Sequence, residues 1–441
     1  MNSTFDKHID ANDVKKTLSK YILADGFDFV FDMEKSHGSW LVDQRTGKEY
    51  LDFFSMFGSM AVGYNHPYIL AHAADFAKVG FNKTSISDIY NTYYAEFVDT
   101  FGRIGMPSYL PHAFFVDGGA LAVENALKVA FDWKVRKNLE KGIGEKGSQI
   151  IHYKQAFHGR SGYTLSMTNT SDPRKYMYFP RFDWPRVTNP KLHFPLTDES
   201  LNNTIKLEQQ SILEIKTAIT NFPNEIAGLI LEPIQAEGGD NHFRKEYLQA
   251  LRQICDENEI MLIFDEVQTG ICLTGKFWAH QNFDVQPDII AFGKKTQVCG
   301  CLAGPRVDEI ERNVFVEPSR INSTFGGNMS DILRFKLILE IIEQDNLAQN
   351  ANEVGKYLLQ KLRVLEQNYE GIISNTRGLG LMCAFDLPTK EKRDAFIGKA
   401  RENGLLILAC GDNSIRFRPH LVVTKQEIDL GIGIIEKLLI Y

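Results

Sequence analysis

Two residues 29 positions apart set the chemistry to be explained. The apolar run at 261–264, MLIF, reads as a short strand buried on both faces, and it delivers Asp265 and Glu266 at its C-terminal end. A second apolar run at 288–292 leads into Gly293 and Lys294. Neighbouring strands of this kind present a carboxylate and an amine to one crevice, at the edge where open α/β sheets bind ligands. An amine can form a Schiff base with an aldehyde, and an acid can keep a pyridine nitrogen protonated so that the ring withdraws electrons. Lys294 and Asp265 fit those roles, with Lys295 a formal competitor for the amine. Taken singly, each is an ordinary charge, a capping aspartate or a solvated loop lysine.

The elements that must position them read as strands followed by crossovers. The piece 113–116 gives way to Asp117, Gly118, Gly119 and Ala120, and then to a run of helical period. Such a glycine turn leaves unpaired N–H groups at a helix start, where phosphate is the common guest. A strand at 149–153 leads to KQAFHGR (154–160), and one at 226–231, after a helix over 200–221, ends in EPIQAE (232–237). A helix over 244–258 returns the chain to residue 261. Four such units in series predict an α/β protein with a mostly parallel sheet flanked by helices.

Flanking segments read differently. Residues 10–22 have a helical period capped by Asp10 or Asn12, and 28–54 alternate like a three-stranded antiparallel meander with its turn at 45–47. Helices follow at 67–79 and 92–104. Beyond 328 come helices at 329–345 and 350–367, strands at 372–374, 379–386 and 415–417, and a helix at 425–439, the pattern of a smaller α+β domain. The expected division is 1–66 as the N-terminal part of the small domain with an active-site loop, 67–327 as the large domain, and 328–441 as the rest of the small one.

The chain has 441 residues, 44% apolar and 24% charged, with a formal net charge of −7. That balance argues against a general affinity for nucleic acid or acidic membranes. No stretch approaches the ~20 apolar residues of a membrane span and the N-terminus lacks a signal-type core, so a cytoplasmic protein is expected. Six scattered cysteines make no disulfide framework, and the C-x-C at Cys299 and Cys301 lacks a second ligand pair, so no metal is expected. MLIFDE also resembles the acidic strand of a P-loop ATPase, but the chain has no G-x-x-x-x-G-K-[ST] loop.

Asp265, Glu266 and Val267, the Thr274–Gly275 pair and the lysine after a PDI strand resemble the signature of the class III aminotransferases, pyridoxal 5'-phosphate (PLP) enzymes of fold type I. Within the class, GGALAVENALK (118–128), HGR (158–160), EPIQAEGGDNHF (232–243), GKKTQVCG (293–300) and INSTFGGN (321–328) resemble the L-lysine 6-transaminase branch. The resemblance implies that Lys294 carries PLP as a Schiff base and that Asp265 pairs with the pyridine nitrogen. It places Val267 under the ring against Phe157, with His158 and Gly159 shaping that loop, and Gln268 near the 3-hydroxyl. It gives the phosphate to the N–H groups of Gly119 and Ala120, and to Thr324 from a second subunit. For substrate it implies Arg160 on a carboxylate, Asn322 nearby, Glu237 as a switch, and Arg416 on the second carboxylate of a dicarboxylic substrate, with Arg418 an alternative on the same strand face.

The implied reaction passes the ε-amine of L-lysine to 2-oxoglutarate by a ping-pong route, giving 2-aminoadipate 6-semialdehyde and glutamate. Ornithine or 4-aminobutyrate transamination, or an aminomutase, are the alternatives on this fold. The resemblance further implies a homodimer whose 55–67 loop enters the partner's site. Two departures stand out: Gly118, Gly119 and Ala120 where most relatives have a Ser-Gly pair, and Cys272 where many have glycine.

Overall fold

A computed structural model describes residues 8–440. Strands β1 (Trp40–Val42) and β2 (Glu49–Asp52) pair antiparallel, with Leu41 opposite Tyr50. Asp43 holds the turn between them by accepting from the Val30 and Arg45 N–H groups and the Thr46 hydroxyl. The third meander strand expected here is reduced to one bridge, Phe31 to Asp43. Asp32 turns the chain away by accepting from the N–H groups of Glu34 and Lys35. The helix expected over 10–22 is also shorter, a 3₁₀ turn Ala11–Asp13 capped by Asp10 and then Val14–Leu18. Neither piece buries a residue, and a helix that short is not stable without packing.

Strands β3 (His112–Val116), β4 (Gln149–Tyr153), β5 (Arg186–Val187), β6 (Ile226–Leu231), β7 (Met261–Asp265), β8 (Ile289–Phe292) and β9 (Cys299–Ala303) form one sheet in the order β3-β9-β8-β7-β6-β4-β5. β9 runs antiparallel to both neighbours, and every other pair is parallel. The C-terminal ends of β3, β4, β6, β7 and β8 therefore share one edge of the sheet, and β9 starts there. β9 is absent from the sequence reading because CGCLA has few large apolar side chains. A Cβ on Gly300 would lie 2.0 Å from the Phe114 carbonyl oxygen, so glycine is what lets β3 pair there.

The period-2 alternation of β7 sorts its side chains between two cores. Met261 and Ile263 pack with Val123, Leu127 and Trp133 of the helix Gly119–Glu140. Leu262 and Phe264 face the other way, in the core that includes Leu248 and Leu251 of the helix Lys245–Glu257. Phe264 is fully buried, and truncating such a ring costs about 3–5 kcal/mol. By the same alternation Asp265 falls on the Met261 face and Gly293 on the Ile289 face, both toward the start of the helix Gly119–Glu140.

After the helices Met329–Gln344 and Leu347–Asn368 come β10 (Ser374–Leu379), β11 (Met382–Asp386), β12 (Leu405–Leu406), β13 (Leu408–Cys410), β14 (Ser414–Phe417) and the helix Lys425–Ile440. β10, β11, β14 and β13 form an antiparallel sheet in that order. β12 pairs parallel with β2, Leu405 beside Leu51, so the N-terminal hairpin joins the C-terminal part of the chain. The helix Met329–Gln344 packs on Thr92–Ile104, with the Phe335 ring 5.4 Å from that of Phe101. A helix Lys390–Glu402 is additional to the sequence reading. Its stretch is mostly charged, and Phe396 and Ala400 are among the few side chains that it buries. No helix among the described residues is long and apolar enough to cross a membrane.

Candidate active site

Lys294, Asp265, Val267, Gln268 and Phe157 line one cavity of about 290 Å³ at the shared strand edge, closed by Gly119, Ala120 and Glu237. Two wider clefts of about 670 Å³, beside Phe194 and beside Trp184, bring no lysine near a carboxylate. The smaller cavity holds the convergent chemistry, and its size suits a small flat ligand.

The two acids of β7 part company here. Asp265 is buried against the cavity; its Oδ1 accepts from the Val267 N–H at 3.0 Å and its Oδ2 lies 2.8 Å from His158 Nδ1. Glu266 points the other way and is saturated by the Ala279 and His280 N–H groups, the His280 ring and the Thr269 hydroxyl. Glu266 is structural.

His158 reaches Asp265 because its loop is pinned. The Thr168 hydroxyl accepts from the His158 N–H and donates to the Gly159 carbonyl. Gly159 has φ 139°, and a Cβ there would lie 2.7 Å from Ala120 Cβ, so glycine lets this loop close on the helix start. Glu232 braces the same wall, accepting from Phe157 N–H at 3.1 Å and Ala236 N–H at 2.9 Å. Burial pushes the Glu232 carboxyl up to about 7, against the pull of His158 and with the push of Asp265.

Lys294 follows Gly293, where a Cβ would lie 3.0 Å from Cys299 Sγ and 3.2 Å from Val267 Cγ1. Lys294 itself has φ 55°, a left-handed conformation that a side chain rarely adopts and that clusters at functional sites. Burial lowers its amine below the ordinary lysine range, Arg416 adds to this, and Asp265 and Glu237 oppose it. Among the described residues Nζ makes no hydrogen bond or salt bridge, with Asp265 or any other group. Lys295 is buried outside the cavity, donating to the Gln268 carbonyl at 2.9 Å, with burial, Arg418 and Lys294 lowering it to about 7. Of the two lysines, Lys294 is the one in the cavity.

The arginines separate as well. Arg418 is fully buried and paired with Asp240, Nη1 to Oδ2 2.9 Å, and its Nε donates to Gln268 Oε1 at 3.1 Å. Arg416 on β14 reaches Glu237, Nη2 to Oε2 3.0 Å, while its buried Nε has no partner among the described residues. Arg416 therefore keeps a donor to spare. Burial opposes ionisation of Glu237, but Arg416 and Lys175 outweigh it, and the carboxyl stays below its usual range.

Residues 22–439 match the family model described as aminotransferase class III. The chain belongs to the class III aminotransferases. It is 47% identical over 430 residues to the L-lysine-epsilon aminotransferase of Mycobacterium tuberculosis, covering 97% of this chain and 95% of that one. It is 44% identical over 429 residues to the L-lysine-epsilon aminotransferase of Streptomyces clavuligerus, covering 96% and 93%. The solved lysine aminotransferase from M. tuberculosis superposes with a TM-score of 0.95, at 47% identity and 97% and 99% coverage. The fold is therefore PLP fold type I, and the protein is a PLP-dependent aminotransferase.

The residues present fit a class III cofactor. An amine without a protein partner among the described residues and a buried carboxylate face one cavity and form no salt bridge with each other. Val267 and Phe157 are the apolar and aromatic groups lining it. The 22-residue helix starting at Gly119 has no side-chain cap, and its N-cap Gly118 has φ 103°, so its first N–H groups are available to an anion at the cavity rim. Cys272 and Ile271 take left-handed φ values of 62° and 58° in a buried turn away from the cavity lining. All six cysteines are free and buried.

Three of the expected residues lie elsewhere. Arg160, two positions past His158, is exposed and makes no side-chain hydrogen bond among the described residues. Asn322 and Thr324 are exposed and outside the cavity. Asn322 Oδ1 accepts from the Ser323 N–H at 2.7 Å, and the Thr324 carbonyl accepts from the Ser87 hydroxyl at 3.3 Å. Three contributions escape the sequence reading: the His158 contact to Asp265, the Glu232 brace, and Lys175, whose Nζ sits 2.7 Å from Glu237 Oε1. Glu232 had a signal, a buried carboxylate at a strand end beside Glu237. Lys175 had none.

Proposed function

We propose that this aminotransferase is an L-lysine 6-transaminase that passes the ε-amine of L-lysine to 2-oxoglutarate and releases 2-aminoadipate 6-semialdehyde and glutamate. The observation that carries the reading is the Glu237–Arg416 pair, whose glutamate lines the cavity of Lys294 and Asp265. One pocket must accept a substrate with a single carboxylate far from its reacting amine and a keto acid with two carboxylates. A glutamate that covers an arginine for one and uncovers it for the other meets both needs, since a buried unpaired charge is costly. Names borne by relatives at 44–47% identity favour lysine over shorter ω-amines.

PLP, when bound, supplies an aldehyde for the amine and a ring that withdraws electrons. Lys294, its amine lowered below the ordinary lysine range by burial, would take a proton from the ε-carbon of lysine and give it up again within the cavity. Asp265, oriented by His158, would keep the pyridine nitrogen protonated. Arg160, exposed just past the His158–Gly159 wall, would have to turn inward to take the carboxylate remote from the reacting carbon, and Arg416 would take the second carboxylate of 2-oxoglutarate. Gly119 and Ala120 would hold the phosphate, Gln268 the 3-hydroxyl, and Val267 and Phe157 the ring.

The same reading makes the protein a homodimer, with Thr324 and Asn322 serving the partner's cavity. Their exposure, the exposed Phe325 (39%) next to Thr324 and the exposed Phe57 (53%) of the 55–67 loop support this. The deciding experiment titrates the holoenzyme separately with L-lysine, ornithine and 4-aminobutyrate, follows the cofactor spectrum, and identifies the product. Conversion by lysine alone, with a 2-aminoadipate semialdehyde product, is the expected result. Inert lysine with active ornithine overturns the substrate and leaves the class standing. Mixing inactive Lys294→Ala and Thr324→Ala subunits tests the dimer, because shared sites restore part of the activity.

A further inference from the structure

Glu237 is held by two cations. Arg416 takes Oε2 at 3.0 Å, and Lys175 takes Oε1 at 2.7 Å from the opposite side. Lys175 does not line the cavity; it stands at the end of a short 3₁₀ turn, Pro173–Lys175, with its Nζ also 5.7 Å from the Phe157 ring centroid. Its neighbour Arg174 is occupied with Asp172 at 2.8 Å, which leaves Lys175 as the cation of that turn turned toward Glu237. The turn and Glu237 share an anchor: Ser171 Oγ donates to the Gly411 carbonyl, and the Gly411 N–H donates to the Glu237 carbonyl at 2.8 Å.

The backbone around Glu237 has no room to move. The Ala236 N–H is tied to Glu232, Asp240 N–H to the Ala236 carbonyl, and a Cβ on Gly238 would fall 2.1 Å from the Gln155 carbonyl oxygen. These ties leave the Glu237 side chain, rather than its backbone, as the part of that residue free to turn. A carboxylate leaving Arg416 needs another partner, because at 27% exposure water only partly replaces the lost cation.

We propose that Lys175 is the positioning residue that receives Glu237 when a dicarboxylate displaces it from Arg416, and so sets the preference of the second half-reaction for a dicarboxylic keto acid. This rests on the switch reading of Glu237 given above. With the second carboxylate on Arg416, Lys175 and Glu237 remain a neutral pair and no charge is left alone. Without Lys175, the displaced carboxylate loses its one salt-bridge partner besides Arg416 among the described residues and competes with the substrate for Arg416.

The test measures both half-reactions of the holoenzyme for Lys175→Met, Lys175→Arg and Glu237→Gln. Lys175→Met is expected to raise the KM for 2-oxoglutarate about tenfold relative to that for lysine, the size of effect expected from removing one partner of a charged hydrogen bond. The shift is absent with pyruvate, which has no second carboxylate to open the pair, and Lys175→Arg restores the original ratio. Equal changes for lysine and 2-oxoglutarate, no change, or the same shift with pyruvate overturns the proposal. Asymmetry in Glu237→Gln without asymmetry in Lys175→Met removes Lys175 alone from the mechanism; symmetry in both variants removes the switch as well.

Discussion

His158 Nδ1 lies 2.8 Å from Asp265 Oδ2, both side chains buried, in a contact that bridges 107 residues of sequence. The carboxylate proposed to pair with the pyridine nitrogen is thus held by an imidazole. Removing the ring leaves a buried carboxylate one donor short. His158→Ala should lower kcat/KM about ten- to a hundredfold, the range for a lost hydrogen bond to a buried charge. Asp265→Ala should cost more, about a hundred- to a thousandfold, as for removal of a group aimed at developing charge. Steady-state rates with cofactor content measured in parallel check both, and equal losses would mean that His158 does more than orient.

Lys294→Ala should abolish covalent attachment of the cofactor and lower turnover by about four orders of magnitude, the upper range for a positioned proton-transfer group. Lys295→Ala should retain the attachment, because Lys295 lies outside the cavity. Borohydride reduction followed by peptide mapping distinguishes the two; label at position 295 would reverse the assignment.

Glu237→Ala leaves Arg416 beside a substrate that has no second carboxylate. The lysine half-reaction should weaken about tenfold or more, and the glutamate half-reaction much less, since Arg416 is paired by the substrate there. Single-turnover spectra of the two halves provide the measurement, and an equal loss would remove the switch.

Lys295 supplies a stability prediction with a definite sign. Its folded-state value near 7 lies below the unfolded lysine value, so between these two the unfolded chain binds the extra proton. The contribution of Lys295 to stability therefore rises with pH across that window, by about 1.4 kcal/mol per pH unit, and is flat below it. Comparing wild type with Lys295→Met by urea unfolding of the cofactor-free protein at pH 7.5 and 9.5, the difference should move by about 2–3 kcal/mol in favour of wild type at the higher pH. A difference independent of pH would mean that Lys295 stays charged in the fold.

The chain's order of strands and the residues at their ends could be read from apolar runs and punctuation. Met261–Asp265, Gln149–Tyr153 and Ile226–Leu231 stand where local pattern puts them. Weakly patterned elements were not readable: β9 has a Cys-Gly-Cys core, and the helix Lys390–Glu402 buries little. Marginal ones shrank, as at Val14–Leu18, where no buried side chain repays the cost of ordering.

By itself the sequence determined which chemical groups arrive at the strand ends, because a strand's hydrophobic run and the polar residue that follows it are adjacent in the chain. It left two pairs of neighbours in competition, Lys294 with Lys295 and Arg416 with Arg418, and set Glu266 beside Asp265. Tertiary structure separated each pair: it buried Glu266, Lys295 and Arg418 against partners of their own, turned Asp265 and Lys294 into the cavity, and set Arg416 on Glu237 behind the cavity wall. Glu266 is taken by His280, Lys295 by the Gln268 carbonyl and Arg418 by Asp240. Those partners lie up to 178 residues away, as Asp240 does from Arg418, and such a contact exists only after the sheet has formed.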